Sequence, residues 1–182
     1  DAMNKEVQVI TICPDKAMAG EKCPVLYLLH GYGGNAGTWL GIKPELPQIA
    51  DKEGIIFVCP DGKNSWYWDS PLNKEYRYET FVSKELVNYI DKNFTTKVER
   101  GGRAITGLSM GGHGSLWLSI RHKDVFGGGG SMSGGLDIRP FPNNWEMKKQ
   151  LGEEASNKQR WDEHTVINQL DKIKNGDLAV II

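Results

Sequence analysis

The chain has no excess of charge of either sign, no long apolar run and few cysteines, and each shortage excludes something. Lys+Arg number 22 and Asp+Glu 23, a formal net charge of −1, which argues against a nucleic-acid partner or an anionic membrane surface held by bulk electrostatics. The longest apolar runs are a handful of residues, far short of the roughly 20 that span a bilayer, so no membrane span is expected. Three cysteines, Cys13, Cys23 and Cys59, are too few and too scattered for a metal site or a disulfide framework. Cys13 and Cys23 each precede a proline at a strand edge and could pair in an oxidising compartment, against the commoner state of a buried free thiol. Neither G-x-G-x-x-G nor Gly-Lys-Ser/Thr occurs, so no phosphate-cradling signature is present and no nucleotide cofactor is implied.

Glycine is what the chain has in quantity: 22 residues, several of them clustered, as close backbone approaches require. At 182 residues the chain is read as one domain with a real core. Alternation over residues 7–12 predicts a half-buried strand, and the unbroken apolar run 25–29 predicts a central strand covered on both faces. Strands are further expected at 55–59, 103–106, 125–132 and 178–182. Helices are expected at 46–52, at 79–94 with Val82, Leu86, Tyr89, Ile90 and Phe94 on one face, and at 114–120. This alternation predicts an α/β fold with a mostly parallel sheet and helices on both faces. Residues 140–175, polar and Trp-bearing, are expected to pack as irregular structure and helix over one end of the sheet.

Gly107-Leu108-Ser109-Met110-Gly111 matches G-x-S-x-G between an expected strand and an expected helix. Glycines flank the serine because the chain must reverse abruptly there, lifting Ser109 Oγ into a cleft on strained backbone. His30-Gly31-Tyr32-Gly33-Gly34 follows the central strand and can present a backbone N–H, most simply that of Tyr32. With the Met110 N–H it would form an oxyanion hole, and His30 would orient the loop through a hydrogen bond. In Trp66-Tyr67-Trp68, three adjacent aromatics cannot all face one core, so at least one is expected to be exposed. Trp66 and Trp68 could wall an acyl or sugar pocket, or pack beneath a lid.

Together LYLLHGYGGN, the WYWDSP stretch, YETFVSKEL and ITGLSMGGHGSLWLSIRHKDVFGGGGSMSGGLD resemble the esterase D / antigen 85-like branch of the α/β-hydrolases. That branch includes S-formylglutathione hydrolases, tributyrin esterases and the feruloyl and acetyl esterases of carbohydrate esterase family 1. The resemblance implies an α/β-hydrolase fold and a serine hydrolase of carboxylic esters with no metal or organic cofactor. Ser109 would be the nucleophile, and the Tyr32 and Met110 amides the oxyanion hole. The substrate would be a small acyl ester or a feruloyl or acetyl group on a sugar or polysaccharide. The alternatives are an acyltransferase of the antigen 85 type, or an inactive fragment or carbohydrate-binding remnant of the fold. Asp1 in place of a start Met fits a removed signal peptide and a trimmed cytoplasmic protein alike, so localisation stays open, with a secreted or periplasmic location slightly favoured over a cytoplasmic one. Oligomeric state leaves no signal in the sequence.

Such a mechanism needs a general base and a carboxylate to orient it. After Ser109 the only histidines are His113, His122 and His164. His113 is expected one turn down the helix in the packing layer, His122 at a charged helix end, and His164 at the solvated start of a helix over 165–174. Asp137 follows the strand after the serine, where a minority of α/β-hydrolases carry the acid. Residues 178–182 would be the strand that precedes the acid in this family. The domain, residues 1–182, is therefore expected to be incomplete at its C-terminal side, lacking a strand and helix within roughly 70 to 90 further residues.

Overall fold

The computed structural model describes residues 2–182. Elements along the chain are β1 (Val9–Ile12), α1 (Asp15–Met18), β2 (Val25–Leu29), α2 (Thr38–Ile42), α3 (Leu46–Glu53) and β3 (Ile56–Pro60). Then follow α4 (Tyr78–Thr80), α5 (Val87–Asn93), β4 (Arg103–Gly107), α6 (Met110–Arg121), β5 (Gly128–Gly130), α7 (Met147–Leu151), α8 (Lys158–Glu163) and β6 (Ala179–Ile181). The sheet order is β1-β3-β2-β4-β5-β6. β1 pairs antiparallel with β3, and every other pairing is parallel.

Period-two alternation in the central strands creates two apolar faces. Val25, Tyr27 and Leu29 of β2 and Ile56 and Val58 of β3 enter one core with Val82, Leu86, Ile90, Leu116 and Trp117. Leu28 with Phe57 and Cys59 enters the other, closed by Trp39, Leu46 and Ala50. Both faces must therefore be covered by helices. This is the α/β-hydrolase arrangement, with a mostly parallel sheet between two helical layers. Among the described residues no helix is long and apolar enough to cross a membrane.

Three local expectations need correction. The segment 79–94 is helical from Tyr78 to Asn93, but Phe81–Leu86 is wound as π-helix. Ser83 Oγ donates to the Glu79 carbonyl at 2.6 Å, diverting it from the ladder. The changed winding buries Val87 and leaves Tyr89 60% exposed. The strand expected at 125–132 is only Gly128–Gly130, followed by a single Leu108–Met132 bridge beside the serine before the chain bends away at Ser133. Residues 166–172 form a 3₁₀ helix rather than an α-helix. The β-branched run Thr165-Val166-Ile167 is poorly suited to an α-helix, and Thr165 Oγ1 turns back onto the Trp161 carbonyl. All three cysteines are free, the commoner of the two states open to Cys13 and Cys23. Burial pushes the Cys59 thiol up to about 12.

Candidate active site

β4 ends at Gly107 and α6 begins at Met110, so the reversal falls on Leu108 and Ser109. Ser109 takes φ 55° and ψ −116°, a backbone state that costs a non-glycine residue on the order of 1–3 kcal/mol and persists only where surroundings enforce it. Here the Ser109 N–H donates to the Met132 carbonyl at 2.8 Å, and the Gly111 N–H to the Leu108 carbonyl at 2.8 Å. The flanking glycines are steric requirements. A Cβ on Gly107 would lie 2.3 Å from the Gly111 carbonyl group, and one on Gly111 2.2 Å from the Leu29 oxygen. The result is a serine side chain exposed at the head of α6.

The loop after β2 is fixed by His30, which is 1% exposed. Its Nε2 accepts the Gly62 N–H at 2.8 Å, so Nδ1 carries the proton and donates to the Gly31 carbonyl at 2.7 Å. Burial lowers its pKa, and with Nε2 already accepting from Gly62 the ring has no free nitrogen to take a proton from Ser109. Tyr67 Oη donates to the His30 carbonyl at 3.0 Å and Trp39 Nε1 to the Leu29 carbonyl at 3.0 Å. Farther along, Gly33 N–H donates to Asn64 Oδ1 at 2.8 Å. Among the described residues, neither the Tyr32 N–H nor the Met110 N–H has an acceptor.

Ser109 opens into a cleft of about 210 Å³ lined by Tyr32, Trp66, Ser133, Gly134, Gly135, Asp137, Ile138, Phe141, Trp145 and Met147. Trp66, Ser109, Ser133 and Trp145 all carry positive φ (56°, 55°, 53° and 49°), a concentration of strained backbone of the kind found at binding and catalytic sites. Trp66 lines the cleft and donates Nε1 to the Trp145 carbonyl at 3.1 Å. Trp68 does not line it. Fully buried, it stacks behind Trp66 at 5.8 Å and meets the edge of His113 at 5.1 Å, so its place as a pocket wall is withdrawn. The expectation that one aromatic is exposed also fails, since Trp66, Tyr67 and Trp68 are 3%, 0% and 0% exposed. Left-handed φ at Trp66 and Tyr67 coils the chain, so that the two tryptophans stack together while Tyr67 passes beneath them toward His30.

Each remaining histidine has a ring nitrogen engaged away from Ser109, and His113 Nε2 is buried without a partner. His113 is fully buried, hydrogen bonds the Gly135 carbonyl through Nδ1 at 2.9 Å and is pushed down to about 4 by desolvation. His122 Nε2 and Arg121 Nε both meet Glu79 Oε1 at 2.8 Å, and Trp117 Nε1 takes Glu79 Oε2 at 3.0 Å. His164 is not at a solvated helix start. Its ring stacks on Trp117 at 5.7 Å and its Nδ1 meets the Arg160 carbonyl at 2.7 Å. Asp137 does reach the cleft, but its carboxylate accepts Arg139 Nε at 2.8 Å and Nη2 at 2.9 Å, which lowers its pKa. Among the described residues no imidazole or carboxylate hydrogen bonds Ser109, and no group of three or more His, Cys, Asp or Glu is placed to hold a metal ion. Trp145, Phe141 and Asn64 had no sequence signal of their own beyond lying near aromatics.

The Esterase family model matches residues 1–181. An acetyl esterase of Caldicellulosiruptor saccharolyticus is 30% identical over 144 residues, which is 75% of this chain and 53% of that protein. An endo-1,4-beta-xylanase/feruloyl esterase of Xylanibacter ruminicola is 34% identical over 124 residues, 63% of this chain and 17% of that one. An S-formylglutathione hydrolase from Agrobacterium tumefaciens superposes with a TM-score of 0.80 at 19% identity, covering 100% of this chain and 82% of that chain, which is a likeness of fold. The chain thus spans about half or less of these two curated relatives.

Proposed function

The chain belongs to the Esterase family, in its esterase D and antigen 85-like branch, and from that premise we propose that it is a serine hydrolase of carboxylic esters acting through an acyl-enzyme. The observation that carries this reading is Ser109 itself, exposed on enforced left-handed backbone at the head of α6 beside two amides without acceptors. Ser109 Oγ attacks the ester carbonyl as a general base takes its proton. The Tyr32 and Met110 N–H groups receive the oxyanion, the alcohol leaves with the proton, and water repeats the sequence to free the acid. Each of the four histidines has a ring nitrogen hydrogen bonded elsewhere in the fold and none hydrogen bonds Ser109, which supports a base supplied from outside the described residues, with residues 1–182 forming one incomplete hydrolase domain.

The cleft also supports a substrate class. Its volume of about 210 Å³ lies below the roughly 300–1,000 Å³ of drug-sized pockets, which suits a small acyl group. Tyr32, Trp66, Phe141 and Trp145 give it aromatic walls, as an acetyl or hydroxycinnamoyl group on a sugar would use. The protein as encoded should hydrolyse p-nitrophenyl acetate, and Ser109→Ala should abolish that turnover. Turnover that survives Ser109→Ala would overturn the reading. An acyl-sugar product outcompeting free acid when a sugar acceptor is present would replace hydrolysis by acyl transfer.

A further inference from the structure

We propose that Glu146 is a positioning residue for this reaction, clamping the loop that carries the Tyr32 amide; the inference rests on the ester-hydrolase reading above. Its carboxylate accepts hydrogen bonds from Asn64 Nδ2 at 3.3 Å and from Lys149 Nζ. Asn64 passes the restraint on, because its Oδ1 accepts the Gly33 N–H at 2.8 Å. Tyr32 is therefore held through the peptide that follows it. The peptide that precedes it is held separately. The Gly31 carbonyl, which shares a plane with the Tyr32 N–H, accepts from the Gly34 N–H at 3.0 Å and from His30 Nδ1 at 2.7 Å. His30 and Gly34 set the tilt of the oxyanion amide from inside the fold, and Glu146 sets it from the cleft side.

The backbone shows how Glu146 comes to be there. Trp145 and Glu146 occupy successive left-handed states, φ 49° and 57°, which residues with a Cβ rarely adopt in succession. The turn is fastened by Trp66 Nε1 on the Trp145 carbonyl, and it swings the Glu146 side chain toward Asn64. The segment Asn64 to Trp66 thus binds Trp145 of the cleft wall, its neighbour Glu146, and the Tyr32 loop at Gly33. The Glu146 side chain is 35% exposed and that of Lys149 66%, and ion pairs so placed contribute little to global stability. What the network governs is the position of one amide.

In the protein as encoded, Glu146→Ala should lower kcat on p-nitrophenyl acetate about tenfold with KM within about twofold, a fraction of the 10²–10³ that outright loss of an oxyanion donor costs. Affinity for a trifluoromethyl ketone, which forms an oxyanion on Ser109, should fall by the same factor as kcat. Glu146→Gln keeps an oxygen acceptor for Asn64 and should recover most of the rate. Asn64→Ala added to Glu146→Ala should cost little more than either change alone, as members of one network do. An unchanged kcat in Glu146→Ala, or fully additive losses, would sink the clamp while leaving a Ser109-dependent esterase intact. So would a loss of Tm and near-UV circular dichroism in Glu146→Ala, since the network would then be part of the fold. A wild-type protein without Ser109-dependent turnover overturns the esterase reading first, and the clamp with it.

Discussion

Gly111→Ala tests the steric basis of the serine turn. The added Cβ would lie 2.2 Å from the Leu29 oxygen, 2.6 Å from the Leu29 carbonyl carbon and 2.7 Å from the His30 oxygen, against the 3.4 Å at which ordinary contact begins. All three atoms are backbone, so no side chain can swing aside, and α6 and the end of β2 must separate by about 1 Å. Overpacking of this kind costs about 1–3 kcal/mol. At about 2–4 °C per kcal/mol for a chain of this size, Tm should fall by about 2–12 °C. The catalytic effect should be larger, because the displaced carbonyls lead directly into the loop bearing Tyr32, and a 1 Å misplacement can cost about 10²-fold in rate. Differential scanning calorimetry and steady-state hydrolysis of p-nitrophenyl acetate measure the two effects on one preparation. A Gly111→Ala protein with native Tm and native kcat/KM would refute the steric account of the turn.

Gly41 is the contrasting case: its Cβ would meet nothing within 4 Å inside α2, so Gly41→Ala should raise stability by about 0.5–1 kcal/mol in urea denaturation, with activity unchanged. His113 should make stability fall with acid. Its folded-state pKa is depressed to about 4, so the unfolded chain binds the proton first and stability is lost as pH drops from about 6.5 toward 4. The loss is on the order of 3 kcal/mol, and His113→Gln should flatten that part of a urea-midpoint titration. Trp66→Ala should raise KM for a feruloyl ester more than for an acetyl ester, because Trp66 lines the cleft. Trp68→Ala should instead cost about 3–5 kcal/mol of stability as a buried cavity, and the opposite pattern in the pair would reverse the two assignments.

Much of the fold was legible because its causes are local. The unbroken run 25–29 could only be a strand covered on both faces, and its odd and even residues do enter separate cores. G-x-S-x-G located the turn between β4 and α6 at Ser109 because the two glycines answer to contacts within a few residues or with the adjacent strand. Features that depend on distant partners could not be read. Glu79 binds Trp117, Arg121 and His122 across 38 to 43 positions, so His122 showed only as a charged helix end. Left-handed backbone at Trp66, Tyr67, Trp145 and Glu146 is imposed by tertiary bonds on residues whose own preference lies elsewhere. That is why the residue types alone do not separate Trp66 on the cleft from Trp68 beneath it, and why nothing local marks Glu146. His164 was misplaced for the same reason, since its stacking partner Trp117 lies on α6.

The central claim, that Ser109 is the nucleophile of an acyl-enzyme, is tested most directly by mass spectrometry of the protein as encoded, acid-quenched during turnover of p-nitrophenyl acetate. One acetyl group carried by the peptide containing Ser109, and absent from Ser109→Ala, is the result the account predicts. A protein that releases p-nitrophenol with no acetyl on Ser109, or with the label on another residue, would contradict it.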